Sequence, residues 1–528
     1  MCFVCLVITV LWGIPCVAQP AVSLPNESET HRVGLVDIGY EALLFRIHLI
    51  RNAQKTIDVQ TFIWENDACG KAFMQACIDA AERGVQVRFL MDHYYSERDM
   101  DAAVALAQVH PKLQIRRYRP PDNRLNSKIH QNMAHMALAF RSHNQRMHNK
   151  VMIVDGRIAL PGGRNISNHY FDYIADRNYL DRDVLITGPL VEELKASFEE
   201  YWDYHRSVPL PALRDVKKAL AKPNAPTWAA TYPSDYDTFL QTLYRDLEHS
   251  DRIEQTIQAR MQPVDHAWVS VDPPGKKSGF GLWNLGGGSR SAVDLMKVME
   301  TAEQSILIQS PYMVMSTRSG YFFRHLHREH PDLHVELLTN SYASTGNMAA
   351  YAGAFRTRPA ALRYGIDVYE FKPEPRDLAL FMPPVADGQP DLIFDKLSVH
   401  AKSLVVDQQT AYVGSFNLDP RSMHLNTELG IVVEDIAFAQ RLEYSIRLSL
   451  DSGNCWRVEY RTMPFGAVNR KIEWTSQHLP LDLWPITSTE LIEGETSIGT
   501  LPTHDRWSRK RWMFRINKTL GLITRPLI

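Results

Sequence analysis

The chain has 528 residues, 45% hydrophobic and 22% charged, which is enough apolar material for more than one core and unlike a disordered composition. With 58 Lys+Arg against 60 Asp+Glu, the formal charge is −2 at pH 7. That argues against a globally basic nucleic-acid binder while leaving room for a local basic groove. No interior stretch approaches the roughly 20 apolar residues of a membrane span.

In chain order, the first 26 residues lack charged side chains, and Met1 to Val17 is strongly apolar. Residues 1–18 read either as an export signal, with Cys16-Val17-Ala18 as a small-residue cleavage site, or as a short uncleaved anchor. Three of the six Cys (Cys2, Cys5, Cys16) fall there. Cys69, Cys77 and Cys455 remain and read as free buried thiols; a Cys69–Cys77 bridge in an oxidising compartment is the alternative. An amphipathic helix is predicted over Glu41 to Asn52, followed by Ala53 to Thr61, which ends in a β-rich run, and a second strand within Gly84 to Asp92. The same succession returns about 249 residues later, in Ser291 to Thr301, Ala302 to Ser310 and Asp332 to Asn340. Helix and strand in alternation predict a βα crossover unit with a mainly parallel sheet flanked by helices. The chain is therefore divided as two similar α/β halves, 30–208 and 234–460, joined by a Pro- and Ala-rich linker, 209–233.

The strongest echo carries chemistry. His148-x-Lys150-x4-Asp155 with Gly162 and Asn165 is matched by His400-x-Lys402-x4-Asp407 with Gly414 and Asn417, every position offset by 252. His and Lys at i and i+2 of a strand share one face, and a turn at Asp155-Gly156 or Asp407-Gln408 returns the chain as a partner strand. Imidazole, ammonium, carboxamide and an unobstructed glycine backbone then converge, a set that suits a phosphate oxyanion. Asp155 and Asp407 belong to the motif and are counted with its catalytic positions. Even so, Asp155 lies about 16 Å along an extended strand from Lys150, which favours a turn-forming role. A nucleophilic His needs an acceptor on its second nitrogen; the candidates, one per half, are Asp181 for His148 and Glu428 for His400.

The last segment, 461–528, is read as an extension whose His504 to Leu522 stretch interleaves Arg506, Arg509, Lys510, Arg511, Arg515 and Lys518 with Trp507, Trp512 and Phe514. It suits either an anionic membrane surface or a helix packed on the body with its Arg side chains reaching outward.

The paired motifs resemble the phospholipase D superfamily, whose mark is a duplicated His-x-Lys-x4-Asp followed by Gly and Asn. Arg146-Met147-His148-Asn149-Lys150, Gly162-Gly163-Arg164-Asn165-Ile166 and Gly414-Ser415-Phe416-Asn417-Leu418-Asp419-Pro420-Arg421-Ser422 resemble more specifically the bacterial cardiolipin synthases of the C type. The resemblance implies two halves packed as a pseudo-dimer around one active site. It implies His148 as nucleophile in a phosphatidyl-histidine intermediate and His400 as acid and then base, the two titrating jointly. Lys150, Lys402, Asn165, Asn417, Gly162 and Gly414 would hold the phosphate, without metal or cofactor. The function implied is a phosphatidyl transfer that makes cardiolipin from phosphatidylglycerol and a second phospholipid, with a secreted phospholipase D or, less in keeping with the charge, a nuclease as alternatives. Phospholipid substrates, peripheral membrane contact, no nucleic acid, and an exported or membrane-associated place in a bacterium go with it. Substrate choice is expected in the stretches before each motif, Asp122 to Met147 and Glu374 to Val399.

Overall fold

The structure, a computed structural model, describes residues 30–127, 144–173, 177–229, 238–276, 289–383, 396–461 and 488–499, with a few isolated positions beyond them, among them Met513 and Phe514. The leader, most of the basic tail, and parts of both segments expected to govern substrate choice lie outside the described residues.

The first half supplies strands β1 (His31–Val36), β2 (Thr56–Thr61), β3 (Gln86–Asp92), β4 (Leu113–Tyr118), β5 (Val151–Val154) and β6 (Ile158–Pro161). It continues with β7 (Asn178–Leu180), β8 (Asp183–Thr187), β9 (Ser207–Pro209) and β10 (Gln262–Val264). The second half supplies β11 (His266–Val271), β12 (Ser305–Gln309), β13 (His334–Asn340), β14 (Ile366–Phe371), β15 (Leu397–Val399) and β16 (Lys402–Val406). After these come β17 (Thr410–Gly414), β18 (Leu429–Glu434), β19 (Cys455–Tyr460), β20 (Thr489–Glu493) and β21 (Thr496–Gly499). They form a nine-stranded sheet, β10-β1-β8-β6-β5-β2-β3-β4-β9, and a ten-stranded sheet, β11-β18-β17-β16-β12-β13-β14-β19-β20-β21.

The mixed α/β halves are as expected, but the sheets are not mainly parallel. Parallel pairing is confined to β2-β3-β4 and β12-β13-β14, where helices Ala68–Glu82 and Thr317–Glu329 cross over between the first two strands of each block. The other pairs in both sheets are antiparallel, because hairpins and returning chain build outward from that block.

The boundaries also move. Leu210, Leu213 and Val216, inside the expected linker, are buried in the first half's outer core, so an apolar spacing of three outweighs the Pro and Ala content. Phe239, Leu240, Leu243, Ile253 and Ile257 join the same core, and β10 pairs with β1. The chain thus passes to the second sheet between Val264 and His266. At the other end β20 and β21 extend that sheet into the expected C-terminal extension. Phe514 is buried against Tyr342, Tyr351 and Phe355, which seats this point of the tail on the body.

Two helices form the middle layer. Leu190–Trp202 buries Leu190, Val191, Leu194, Phe198, Tyr201 and Trp202, the i, i+3/i+4 stripe of an amphipathic helix. Ile436–Leu450 is its counterpart, burying Phe438, Ala439, Leu442 and Ile446. Both lie in one core that draws side chains from both sheets, including Val151, Ile153, Val405 and Ile431. Burying several large apolar side chains at about 1.5–3 kcal/mol each, that shared core fixes one half on the other. Cys69, Cys77 and Cys455 are buried and form no disulfide among the described residues. Cys69 and Cys77 share helix Ala68–Glu82, where eight residues rise about 12 Å, too far for a disulfide.

Candidate active site

Each motif is held by a hairpin. Val151 pairs with Pro161 and Lys402 with Gly414, and positive φ at Asp155 (54°), Gly156 (65°), Asp407 (50°) and Gln408 (57°) makes the two turns of the kind that match strand twist. Asp155 and Asp407 therefore sit at the far end of their hairpins from His and Lys. Asp155 accepts from the backbone N–H groups of Gln54, Lys55 and Thr56, and Asp407 from those of Glu303, Gln304 and Ser305. These two motif positions are not brought into the site; their carboxylates fasten each turn to the start of β2 or β12.

The orienting pairs cross between halves. His148 Nδ1 lies 2.7 Å from Glu428 Oε2, and His400 Nδ1 lies 2.5 Å from Asp181 Oδ2. The same-half pairing expected from the sequence is thus reversed, and the backbone shows why. The residue before each carboxylate is hydrogen-bonded to the opposite motif: His148 N–H donates to Thr427 O at 3.0 Å, and His400 N–H to Leu180 O at 2.7 Å. Strands β7 and β15 pair in parallel across the interface, as Met147 does with Thr427. Each carboxylate is anchored in its own half yet reaches the other half's imidazole.

The glycines serve that anchoring. A Cβ on Gly162 would fall 2.1 Å from Asp183 Oδ1, one on Gly163 2.0 Å from Asp181 Oδ1, and one on Gly414 2.5 Å from the Gly430 Cα. Gly162 and Gly414, expected to cradle phosphate, are small because a neighbouring strand lies against them. Gly163 is part of the motif, but nothing in the sequence assigns it a role. Its counterpart by the 252-residue offset is Ser415, whose hydroxyl donates to Glu428 Oε2 at 2.5 Å. One half leaves room for the carboxylate and the other hydrogen-bonds it.

Lys150 and Lys402 are both buried; Lys150 Nζ donates to His148 O at 2.6 Å, and Lys402 Nζ lies 2.9 Å from His400 Nδ1. The Asn165 amide donates to Tyr170 OH at 2.8 Å and the Asn417 amide to Tyr312 OH at 3.2 Å, while Asn417 Oδ1 is buried with no partner. Tyr170 OH stands 3.5 Å from His400 Nε2, and Phe62 packs edge-on against His148. Neither aromatic lies in a motif, so only the fold brings them in.

Burial and the nearby lysines push both imidazoles below their ordinary range. Burial and mutual repulsion lower Lys150 to about 7, and burial lowers Lys402 to about 8. Burial pushes the Asp181 carboxyl up, but His400 and Lys402 outweigh it and hold it below the usual carboxylate range. For Glu428 burial prevails over Lys150, and the carboxyl is raised. Among the described residues no group of three or more His, Cys, Asp or Glu side chains is placed to hold a metal ion. The arrangement provides two imidazoles with opposed backing carboxylates and two cations, a set suited to displacement at phosphorus.

Known proteins resemble this chain in both halves. A family profile described as "Cardiolipin synthase, PLD-like domain" matches residues 46–202 and 295–447, one match in each half. Over 444 residues the chain is 32% identical to cardiolipin synthase C of Escherichia coli strain K12, covering 83% of this chain and 87% of that protein. It is 23% identical over 447 residues to cardiolipin synthase B of the same organism, covering 83% and 84%. Among solved structures, phosphatidylserine synthase of Haemophilus influenzae Rd KW20 superposes with a TM-score of 0.54 at 14% identity, covering 94% of this chain and 95% of that one; this is a likeness of fold.

Proposed function

The chain belongs to the cardiolipin synthase family with PLD-like domains, and from that premise we propose that it transfers a phosphatidyl group from phosphatidylglycerol to a second phospholipid through a phosphohistidine. The observation that carries this reading is the crossed pairing: each imidazole is backed on Nδ1 by the other half's carboxylate, leaving its Nε2 for chemistry. In the first step His148 Nε2 forms the N–P bond as the bond from phosphorus to the headgroup glycerol oxygen breaks. The proton on His400 Nε2 goes to that leaving oxygen. In the second step His400 takes the acceptor hydroxyl proton, the new O–P bond forms, and the N–P bond breaks.

Lys150, Lys402 and the carboxamides of Asn165 and Asn417 would meet the non-bridging oxygens as charge grows. The firmly ionised Asp181 fits His400 for the imidazolium role, and the substrate phosphate's negative charge supplies the rest of what raises its proton affinity. Substrates that share a bilayer would bring the protein to a membrane surface.

The test is incubation of the purified protein with phosphatidylglycerol vesicles, with and without phosphatidylethanolamine, and separation of products by mass. Cardiolipin supports the transferase reading. Phosphatidic acid alone replaces it with hydrolysis, and no lipid product removes it.

A further inference from the structure

The two halves are close copies at the motif hairpins and differ one strand-step outside them. Arg146 precedes His148 by two residues, so on an extended segment it lies on the same face, about 6.6 Å further out. Its counterpart by the 252-residue offset is Ser398, which donates its hydroxyl to Ser344 O. Asp92 and Asn340 are likewise equivalent: Asp92 Oδ2 accepts from Met147 N–H at 3.1 Å, and Asn340 Oδ1 from Val399 N–H at 2.8 Å. On β4 and β14 the difference is one of charge. Arg117 stands where the second half has Glu370, and Glu370 is already paired with Arg358 at 2.8 Å.

The first half thus gathers two buried arginines, Arg146 and Arg117, around the Asp92 carboxylate. Arg146 is 3% exposed, its Nη1 is buried without a hydrogen-bond partner, and among the described residues it makes no ion pair. Arg117, 2% exposed, leaves Nε and Nη1 unpartnered as well. Asp92 is the carboxylate among them, and its two oxygens are taken by the backbone amides of Tyr94 and Met147. Asp419, near Arg421, caps its own short helix by accepting from Ser422 N–H at 2.6 Å. The Arg146 guanidinium lies over the Tyr94 ring, 4.6 Å from its centroid, which holds the plane while leaving its edge for an anion. A buried guanidinium with an unsatisfied N–H edge is costly even near a carboxylate, and a bound anion offsets that cost.

We propose that Arg146, flanked by Arg421, forms a second anion subsite next to His148 that takes the phosphodiester of the acceptor phospholipid. This rests on the transferase reading and deepens it. The acceptor carries its own phosphate a few bonds from the attacking hydroxyl, whereas water and glycerol carry none. The subsite would therefore make a lipid the preferred acceptor at a site whose hairpin chemistry does not distinguish acceptors.

The experiment compares two soluble acceptors, glycerophosphoglycerol and glycerol, with phosphatidylglycerol vesicles as donor, in the wild type, Arg146→Gln and Arg146→Lys. Arg146→Gln is expected to lower kcat/KM for glycerophosphoglycerol at least tenfold more than for glycerol, chiefly through KM, with partial recovery in Arg146→Lys. Equal losses for both acceptors would overturn the subsite, because a folding or donor defect does not discriminate between them. If the wild type transfers to neither acceptor, the transferase reading fails. The subsite is then decided by thermal-shift titration with glycerophosphoglycerol: saturable stabilisation lost in Arg146→Gln upholds it, and identical curves overturn it.

Discussion

His148 and His400 occupy equivalent places on equivalent hairpins, yet their surroundings differ. The His148 side chain is 5% exposed and faces Glu428, a carboxyl that burial pushes toward its neutral form. The His400 side chain is 19% exposed and faces Asp181, which His400 and Lys402 keep ionised against burial. A buried imidazole beside a weakened carboxylate favours the neutral, nucleophilic form, while one beside a firm carboxylate is better able to carry a proton. Duplication supplied two copies of one apparatus, and on the proposed mechanism these small differences in burial would divide the labour between them.

The sharpest way to break this comparison is to remove each imidazole. His148→Ala and His400→Ala should each lower kcat by on the order of 10⁴ or more, as for catalytic groups that act as a unit. A neutral quench of the wild type followed by peptide mass analysis should place a phosphatidyl adduct on His148; an adduct on His400 inverts the roles. Next come the carboxylates. Asp181→Asn is expected to cost about 10³ in kcat and Glu428→Gln about tenfold, because only the first removes a firm negative charge. Equal losses would erase the distinction.

A smaller effect is expected from pH. Lys150 near 7 and Lys402 near 8 are depressed from the ordinary lysine value, so both cationic forms are complete only below about pH 6 and are lost as pH rises through 7 and then 8. The kcat/KM for an anionic donor should therefore fall about tenfold per unit on the alkaline side. Lys150→Arg, which stays charged, should move that limb upward if it remains active. A flat profile to pH 9 would show that the lysines do not titrate there. The smallest effect belongs to Asp155→Ala. Stability should drop by about 1–3 kcal/mol through the orphaned amides of Gln54, Lys55 and Thr56, with kcat for the remaining folded protein nearly unchanged.

Much of this was open to reading in one dimension, because duplication leaves a periodic trace. The 252-residue offset identifies His148, Lys150, Asn165 and their partners, and strand alternation with a turn explains why they converge. Asp155 could be moved from the site to the turn by distance along a strand alone. The edges of the halves were less legible: Pro and Ala content suggested a linker where Leu210, Leu213 and Val216 pack into a core.

What only the tertiary structure decided is everything that crosses between the halves. A sequence orders residues along the chain and says nothing about which face of one sheet meets the other. The pairing of His148 with Glu428 and His400 with Asp181 depends on Thr427 and Leu180 binding the opposite motif's backbone. The same holds for Gly163, recognisable as necessary only once the Asp181 carboxylate fills the space of its missing side chain. It holds equally for the unequal burial that separates two chemically identical histidines, since burial is a property of the packed interface.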